Sequence, residues 1–319
     1  MSKKKLRLIL PLLIIVIALC VIIYVLPKVS DSMTKTVIAE YGTIEKTDEM
    51  TCYFVRDERV YAPKESGEID YLIDEGTKVR KGTKIADIKQ SEAGEKGYSE
   101  EIEKLGEKLK ETSSCKAKIN GVVSYKIDGN EAIMSTSRIK SIGYNDVKNM
   151  ENSFEDLSRN QVVAGEPIYK IYKNEKWYIL FWTDKKTAEN YTKGMSVRIR
   201  LPEGDVRAVV AGKKKQGDLY RVKLRSNRYY EGLSDTRVAD ATVVTASCSG
   251  LIIENSCICE EEGQKGVMVR SKTGEYVFTP INILLADEKQ SVVSSDKYYD
   301  EEGNEHFTIN IYDEMLRNP

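Results

Sequence analysis

Histidine is nearly absent from this sequence of 319 residues, which contains a single one, His306. One histidine excludes H-E-x-x-H zinc hydrolases and multi-histidine metal sites, and it argues against a Ser-His-Asp triad. The motifs G-x-S-x-G, G-x-x-x-x-G-K-[ST] and G-x-G-x-x-G are also missing. His306 stands in an acidic stretch and is interpreted as a solvated loop residue, with pairing to Cys257 as the alternative. The sequence therefore predicts no catalytic residue and no enzymatic activity.

Paired cysteines are also lacking. Five of the six cysteines follow the first apolar run, and an odd number does not suit a disulfide framework. Cys257 and Cys259, with Cys248 nearby, could hold a metal, but there is no C-x-x-C and no second ligand pair. Buried small apolar side chains are the favoured interpretation. We therefore expect no metal site and no cofactor.

Neither sign of charge dominates, because 49 Lys and Arg residues face 50 Asp and Glu residues and the net charge is -1. Without a basic surplus or an arginine-aromatic motif, nucleic acid is not an expected partner. Lys213, Lys214 and Lys215 stand at the tip of a predicted β-hairpin. They could contact anionic lipid or an acidic partner, and an ordinary exposed turn is the alternative interpretation.

One long apolar run is present, Leu8–Leu26. At about 1.5 Å per residue its length approaches the thickness of a bilayer core. Lys3, Lys4, Lys5 and Arg7 precede it, so the positive-inside rule places the N-terminus in the cytoplasm. A cleaved signal peptide is disfavoured by the length of the run and by the lack of an A-x-A-like site. The sequence predicts a single-pass protein of the cell membrane with most of the chain outside the cytoplasm.

Short strands separated by glycine-containing turns make up most of the remaining chain, which predicts a mainly β fold. The apolar run Trp177–Trp182 and the alternating stretch Met195–Leu201 are typical of strands. Val37–Val55 is interpreted as strand, turn and strand, with Gly42 at the turn. Ile102, Leu105 and Leu109 have helical spacing and predict a helix of about three turns.

Five glycines are candidates for positions where the backbone conformation is critical. Two of them, Gly76 and Gly82, are predicted to occupy tight turns in which glycine permits a positive φ. We expect the role of all five to be architectural; they are Gly67, Gly76, Gly82, Gly121 and Gly165.

The order of these stretches resembles that of a known family. Val60–Ile88 and Ala117–Ile171 resemble the two halves of the split biotinyl/lipoyl-like sandwich in HlyD-type membrane fusion proteins, the adaptor subunits of efflux and secretion systems. Further short segments resemble the family's entry to its barrel, a barrel strand and the C-terminal part of the Gram-positive branch: Val162–Ile171 with Trp177-Tyr178, Lys193–Val197, Gly250–Ile252, Gly266-Val267 and Tyr312–Glu314. The resemblance covers nearly the whole chain.

The resemblance implies a mainly β protein with an N-terminal transmembrane helix, a split barrel-sandwich hybrid, a β-barrel and a membrane-proximal β domain. The expected boundaries are 1–27 for the cytoplasmic tail and anchor, 28–58 for a membrane-proximal β segment, and 59–172 for the barrel-sandwich hybrid. A β-barrel then occupies 173–246, and a C-terminal membrane-proximal β domain occupies 247–319. Within the hybrid, a short helical insert spans 91–114 and an insertion spans 130–161.

The resemblance also implies a non-catalytic adaptor that assembles with an integral-membrane transporter, such as an ABC-type exporter, and that self-associates. The helical insert of about 20 residues is too short to bridge an envelope, so an outer-membrane channel is not an expected partner. This shortness keeps open a second hypothesis, a membrane-anchored envelope scaffold for cell division or wall assembly. A biotin or lipoyl carrier fits less well, because Lys89 lacks the M-K-M or D-K-A context.

Overall fold

The computed structural model describes residues 35–91 and 96–319 and divides the chain into two compact units. The central unit is 47–246, and the terminal unit joins the chain up to Lys46 with Ser247–Pro319. The predicted anchor, Leu8–Leu26, lies outside the described residues. Within the described ranges, no helix has the length and apolar character needed to cross a bilayer.

Strands dominate both units, as expected for a mainly β fold. Residues 35–91 contain β1 (Thr36–Ile38), β2 (Glu40–Val55), β3 (Glu58–Pro63), β4 (Gly67–Tyr71), β5 (Lys78–Val79) and β6 (Ala86–Gln90). Residues 96–172 contain helix α1 (Ser99–Leu105), a 3-10 turn (Gly106–Lys108), β7 (Leu109–Thr112), β8 (Gly121–Ser124), β9 (Lys126–Ile127), helix α2 (Tyr144–Val147), β10 (Glu155–Asp156), β11 (Gln161–Val162) and β12 (Tyr169–Tyr172).

The rest of the chain continues in the same way. It contains β13 (Trp177–Thr183), helix α3 (Lys185–Glu189), β14 (Ser196–Leu201), β15 (Gly204–Gln216), β16 (Leu219–Ser226), a 3-10 turn (Glu231–Ser234) and β17 (Val238–Glu254). A further 3-10 turn (Asn255–Cys257) precedes β18 (Ile258–Glu261), β19 (Gln264–Arg270), β20 (Tyr276–Pro280), β21 (Ile283–Ala286), β22 (Gln290–Val293), β23 (Lys297–Tyr299), β24 (Glu305–Phe307) and β25 (Glu314–Leu316). The division between units falls within β2 and within β17, so the predicted segment 28–58 contributes to both.

Two small sheets of the central unit form a sandwich from both predicted halves. One sheet has the order β5-β8-β12-β3-β7, and the other has the order β11-β4-β6. Strand β12 of the second half pairs antiparallel with β3 of the first, so neither half can form the sheet alone. Tyr61 of β3 and Tyr169 of β12 stack with their ring centroids 5.0 Å apart in the shared core. The predicted split sandwich is therefore confirmed.

The other part of the central unit is a closed six-stranded barrel in the order β14-β15-β16-β13-β2-β17, in which β14 also pairs with β17. Closure removes the unpaired edges that would otherwise invite aggregation. Trp177, Ile179 and Phe181 alternate along β13 and belong to the barrel core. Trp177 stacks on Phe54 of β2 at 5.7 Å. Burial of a large apolar side chain of this kind stabilises a fold by roughly 2–3 kcal/mol.

The other face of β13 is covered by residues 130–150, here called the strap. Met134, Ile139, Ile142 and Val147 of the strap pack with Leu180 of β13 in a separate apolar cluster. The Arg221 Nη1 atom of the barrel donates a hydrogen bond of 2.6 Å to a strap carbonyl oxygen, that of Ile142. The first part of the predicted insertion 130–161 is therefore an apolar cover for the barrel.

The helical insert is shorter than predicted. Helix α1 ends at Leu105, because Gly106 has a φ of 46° that does not continue the helix. Leu109, expected on the same helix, instead begins β7 and pairs parallel with Val60 of β3. The helix thus has seven residues and a length of about 10 Å. Pairing with the sandwich prevails over the helical spacing of the apolar residues.

The terminal unit contains the sheet β1-β25-β19-β18, with β20 paired to β19, and the hairpin β23–β24. His306 lies in β24 rather than in a loop, and its Nε2 atom is 2.9 Å from Asp300 Oδ2. The alternative pairing with Cys257 is therefore wrong. Gly42 lies inside β2 instead of at a turn. A Cβ atom there would overlap the side chain of Ile252, so the glycine serves close packing.

Candidate functional site: a buried charge cluster

Six charged side chains of the central unit have no solvent exposure, and they are here called the charge cluster. The cluster comprises three cations and three carboxylates: Arg56, Lys170, Arg237, Glu58, Asp128 and Glu131. They come from the β2–β3 junction, the end of β9, the strap, β12 and the residue before β17. Charges persist in a protein interior only when they are paired and hydrogen-bonded, so this set must be accounted for as one unit.

Glu58 is the centre of the cluster. Its Oε1 atom lies 3.0 Å from Arg56 Nε and 3.0 Å from Lys170 Nζ. Its Oε2 atom lies 2.8 Å from Arg237 Nη2. Burial would raise the pKa of Glu58, but the three cations together lower it to about 2. Glu58 is therefore ionised across the physiological pH range.

Arg237 joins the barrel to the sandwich. Its guanidinium makes a two-pronged contact with Asp128, through Nε at 2.6 Å and Nη2 at 2.9 Å. Its Nη1 atom donates to the carbonyl oxygen of Phe54 at 3.3 Å. Burial opposes ionisation of Asp128, but the adjacent Arg237 holds its pKa well below the usual range. Planar, two-pronged pairs of this kind are among the strongest polar contacts in proteins.

Arg56 adds a second connection to the same region. Its Nη1 atom donates a 2.8 Å hydrogen bond to the carbonyl oxygen of Thr236, and its Nη2 atom donates one of 3.3 Å to that of Ser234. These carbonyl groups precede β17 of the barrel. Burial lowers the pKa of Arg56, although Glu58 opposes the shift. The barrel approaches the sandwich through fixed polar contacts rather than through apolar packing alone.

Glu131, the first acidic residue of the strap, is less well satisfied than the other carboxylates. Its Oε1 atom lies 3.3 Å from Lys170 Nζ and accepts a 3.2 Å bond from the backbone N–H of Asp128. Its Oε2 atom is buried and has no hydrogen-bond partner among the described residues. Burial raises the pKa of Glu131 to about 7; Lys170 opposes this shift, and the charges of Asp128 and Glu58 add to it. The charge of this carboxyl group therefore changes near neutral pH.

The cluster is suited to joining parts of the fold and not to catalysis. All six side chains have zero exposure, so a substrate cannot reach them. Among the described residues, no group of three or more His, Cys, Asp or Glu side chains could hold a metal ion. Cys52, Cys115 and Cys257 are buried, Cys248 and Cys259 are half-buried, and none of these five described thiols forms a disulfide.

The five candidate glycines fall into two geometric classes. Gly76, Gly82 and Gly165 have φ values of 76°, 95° and 84°, and a Cβ atom at each would meet open space. Gly67 and Gly121 have no such φ, but a Cβ atom would overlap the carbonyl oxygens of Lys89 and Tyr172 respectively. The first class therefore needs glycine for its backbone conformation, and the second needs it for close approach between strands. The expected positive φ is found at Gly76 and Gly82.

The three lysines do not form a hairpin tip. Lys213, Lys214 and Lys215 lie within β15 and pair in register with β16, while the turn is formed by Gly217 and Asp218. Strand pairing extends to the end of the hairpin because these two residues suffice for a tight turn. The Lys213 Nζ atom donates a 2.6 Å bond to the carbonyl oxygen of Ala188. The three exposed lysines thus belong to a strand, and their side chains alternate between its two faces.

The charge cluster was not predicted from the sequence. Its salt bridges connect residues such as Arg237 and Glu58 that lie 179 positions apart. One local signal was available: Lys170 interrupts Tyr169–Tyr172, a strand whose four residues are all buried. A lysine at such a position requires a buried partner.

Two domain models match this chain. Residues 58–173 match the RND-related barrel-sandwich hybrid domain, and residues 177–247 match the RND-related beta-barrel domain. Together the matches span more than half of the sequence. The chain thus contains an RND-related barrel-sandwich hybrid domain followed by an RND-related beta-barrel domain. The predicted resemblance to membrane fusion proteins is thereby confirmed, and the charge cluster joins the two matched domains.

Several solved structures match the chain at low sequence identity. ZneB from Cupriavidus metallidurans is 11% identical, with 89% of this chain and 92% of that chain covered and a TM-score of 0.32. MacA from Actinobacillus actinomycetemcomitans is 12% identical over 86% and 99%, with a TM-score of 0.34. The membrane fusion protein Spr0693 from Streptococcus pneumoniae R6 is 10% identical over 63% and 98%, with a TM-score of 0.29. At these scores the likenesses carry no argument about function. None of the curated proteins matches the chain.

Proposed function

We propose that this chain is a non-catalytic adaptor that assembles with an integral-membrane transporter of an efflux or secretion system. The observation that supports this most directly is the succession of an RND-related barrel-sandwich hybrid and an RND-related beta-barrel in one chain. Adaptors of this architecture act through protein contacts, which agrees with a buried cluster that no substrate can reach. An ABC-type exporter as the partner and self-association of the chain are parts of the proposal.

The proposal includes a membrane anchor. The apolar run Leu8–Leu26 would span the bilayer, with the basic residues before it in the cytoplasm. Residues after about position 27 would then lie outside the cytoplasm, and the chain would be a single-pass protein. This arrangement would hold the two matched domains near the outer face of a transporter.

The connection between the two domains gives the adaptor a physical means of transmitting movement. A displacement of the barrel would pull on Arg237, and through it on Glu58 and Asp128 of the sandwich. Separating them would leave buried charges unpaired, which costs roughly 3–5 kcal/mol for one broken partner. The two domains are therefore expected to move together when a partner binds to either one.

In-cell crosslinking of the full-length chain, followed by mass spectrometry of the copurified proteins, tests the proposal. Recovery of an integral-membrane transporter is expected, together with crosslinked multimers of the chain itself. Deletion of the protein should change export or drug susceptibility. The adaptor role would be refuted if no transporter copurified and export were unchanged by the deletion.

A membrane-anchored envelope scaffold is the second candidate, and the short insert favours it. Helix α1 has seven residues, so it extends about 10 Å and cannot reach a distant second membrane. The same crosslinking experiment separates the two candidates. Recovery of division or wall-assembly proteins without a transporter would support the scaffold.

A further inference from the structure

A cavity of about 570 Å³ in the central unit combines aromatic walls with an acidic rim. It shares no lining residue with the charge cluster, and residues of β2 and β13 form much of its lining. Its volume is within the usual range for small-ligand sites. The side chains that matter for its chemistry are three aromatic rings and two carboxylates: Tyr53, Tyr144, Trp182, Glu49 and Asp184.

Trp182 is the central ring of the aromatic wall. The ring of Tyr53 lies 5.7 Å from it at an interplanar angle of 78°, and the ring of Tyr144 lies 5.9 Å from it at 53°. Neither tyrosine stacks flat against Trp182, so the three rings line the cavity at different angles. The face of an aromatic ring is electron-rich and attracts cations, and tryptophan does so most strongly.

The carboxylates of the rim are held by neutral donors. Glu49 accepts bonds of 2.8 and 3.0 Å from the Thr242 hydroxyl, whereas the preceding residue, Asp48, points to the other face of β2 and accepts a 2.7 Å bond from the buried Tyr191 hydroxyl. Asp184 accepts from the backbone N–H and the hydroxyl of Thr187 at 3.1 and 2.8 Å. Hydroxyl and amide groups orient a carboxylate without neutralising it. None of the described residues that line the cavity is Lys, Arg or His, so the rim itself carries only negative charge.

We infer that this cavity binds an organic cation, an ammonium or guanidinium group carried on an apolar ring or chain. An anion would be repelled by the rim, and a neutral apolar molecule would dehydrate carboxylates without offering them a charge. A bare metal ion would make poor use of aromatic walls, and the described carboxylates do not form a metal-ligating group. The cation can be a free small molecule or a Lys or Arg side chain of a partner, and both offer the same chemistry. The inference does not depend on the adaptor role.

The two tryptophans of the chain provide a direct readout. Trp177 is fully buried in the barrel and bonds the carbonyl oxygen of Arg228, whereas Trp182 lines the cavity. Titration of the full-length chain, in a non-ionic detergent, with benzyltrimethylammonium should therefore give a saturable change in tryptophan fluorescence. Acetyl-arginine amide in a second titration represents a partner side chain. Binding of either cation supports the inference. Tighter binding of benzyltrimethylammonium indicates a free small molecule as the ligand, and tighter binding of acetyl-arginine amide indicates a side chain of a partner.

Charge-removing variants distinguish a built site from partition into detergent. The double variant Glu49→Gln with Asp184→Asn keeps both acceptors and the helix cap but removes two charges. We expect it to weaken binding by about tenfold or more, a loss typical of one to two lost charge contacts. The matched control is Glu155→Gln, which removes an exposed charge from β10 and should leave binding unchanged.

The outcomes that would overturn the inference are well defined. One is the absence of a saturable signal with both cations, and another is equal binding of neopentylbenzene, the uncharged analogue of benzyltrimethylammonium. A third is unchanged affinity in the double variant when its melting curve matches that of the unsubstituted chain. The crosslinking experiment on the adaptor role has a separate readout, so failure of one proposal leaves the other standing.

Discussion

Glu131→Gln should change how the stability of the protein depends on pH. Burial raises the pKa of Glu131 from 4.5 to about 7 in the folded chain. A group whose folded pKa is raised contributes stability below its unfolded pKa, and this contribution is lost as pH rises through the folded value. The unsubstituted protein should therefore lose stability between about pH 5 and about pH 8, and the glutamine variant should lose less.

The magnitude follows from the size of the shift. A change of one pKa unit corresponds to about 1.4 kcal/mol, so ionisation of Glu131 costs the fold about 3 kcal/mol at the alkaline end of the window. Glutamine cannot ionise, and its carbonyl oxygen can still accept from Lys170 as Oε1 does. Near pH 8 the variant should be the more stable protein, whereas near pH 5 the two should be nearly equal. The lowered pKa values of Glu58 and Asp128 affect only more acidic conditions.

Urea unfolding of the full-length chain at several pH values measures this difference. Glu155→Gln is the control, because it makes the same chemical change at an exposed position of β10. The reasoning would be refuted if Glu131→Gln had the same pH dependence as the unsubstituted chain. It would also be refuted if the variant were destabilised equally at all pH values, since that would indicate a purely structural carboxylate.

Three further predictions concern the cluster, the glycines and the basic strand. Arg237→Met should reduce the free energy of unfolding by roughly 3–5 kcal/mol, measured by urea unfolding. Adding Asp128→Asn should recover part of this loss, because it removes the carboxylate left without its partner. If the double variant recovered no stability, the pairing of Arg237 with Asp128 would be contradicted. Gly76→Ala should reduce the free energy of unfolding by about 1–2 kcal/mol because of the positive φ, and Gly76→Asn should reduce it less. At Gly121, where a backbone carbonyl blocks any Cβ, Asn should be no better than Ala. The two classes would be refuted if the Ala and Asn variants had identical melting temperatures at both sites. Lys214→Glu should reduce crosslinking to the partner without lowering the melting temperature, and unchanged crosslinking would remove this strand from the contact surface.

The strands were predictable where local periodicity and tertiary packing agree. The continuous apolar run of β13 predicted a buried strand, and both of its faces are indeed covered, one by the barrel core and one by the strap. Leu109 shows the opposite case, since its helical spacing from Leu105 was a local signal that parallel pairing with β3 overrides. Gly42 was expected at a turn because glycine frequently marks turns, yet it serves close packing inside a strand.

The charge cluster could not be predicted because its information is not local. Glu58 looks like an ordinary surface residue in the sequence, and its charge is paired in the interior by Arg237, 179 positions further along the chain. Pairing of this kind appears only when the tertiary fold brings the partners together. The acidic cavity is similar, since Glu49 lies within β2, Asp184 follows β13, and each is exposed. Sequence periodicity predicts helices and strands, whereas the charge cluster and the cavity form only where the fold brings separate strands together.

The insertion that separates this chain from the expected family pattern gives a physical clue to its role. The strap covers the barrel with apolar side chains, and its Glu131 enters the cluster that joins barrel and sandwich. A protein that bridged two membranes would need a long helical hairpin, whereas helix α1 of this chain has seven residues. The additional residues of this chain form the strap, which contacts both the barrel and the charge cluster. Since Glu131 changes charge near neutral pH, the strength of that coupling should depend on the pH of the compartment. An adaptor of this design would act on its partner through the relative stiffness of its domains, not through its reach.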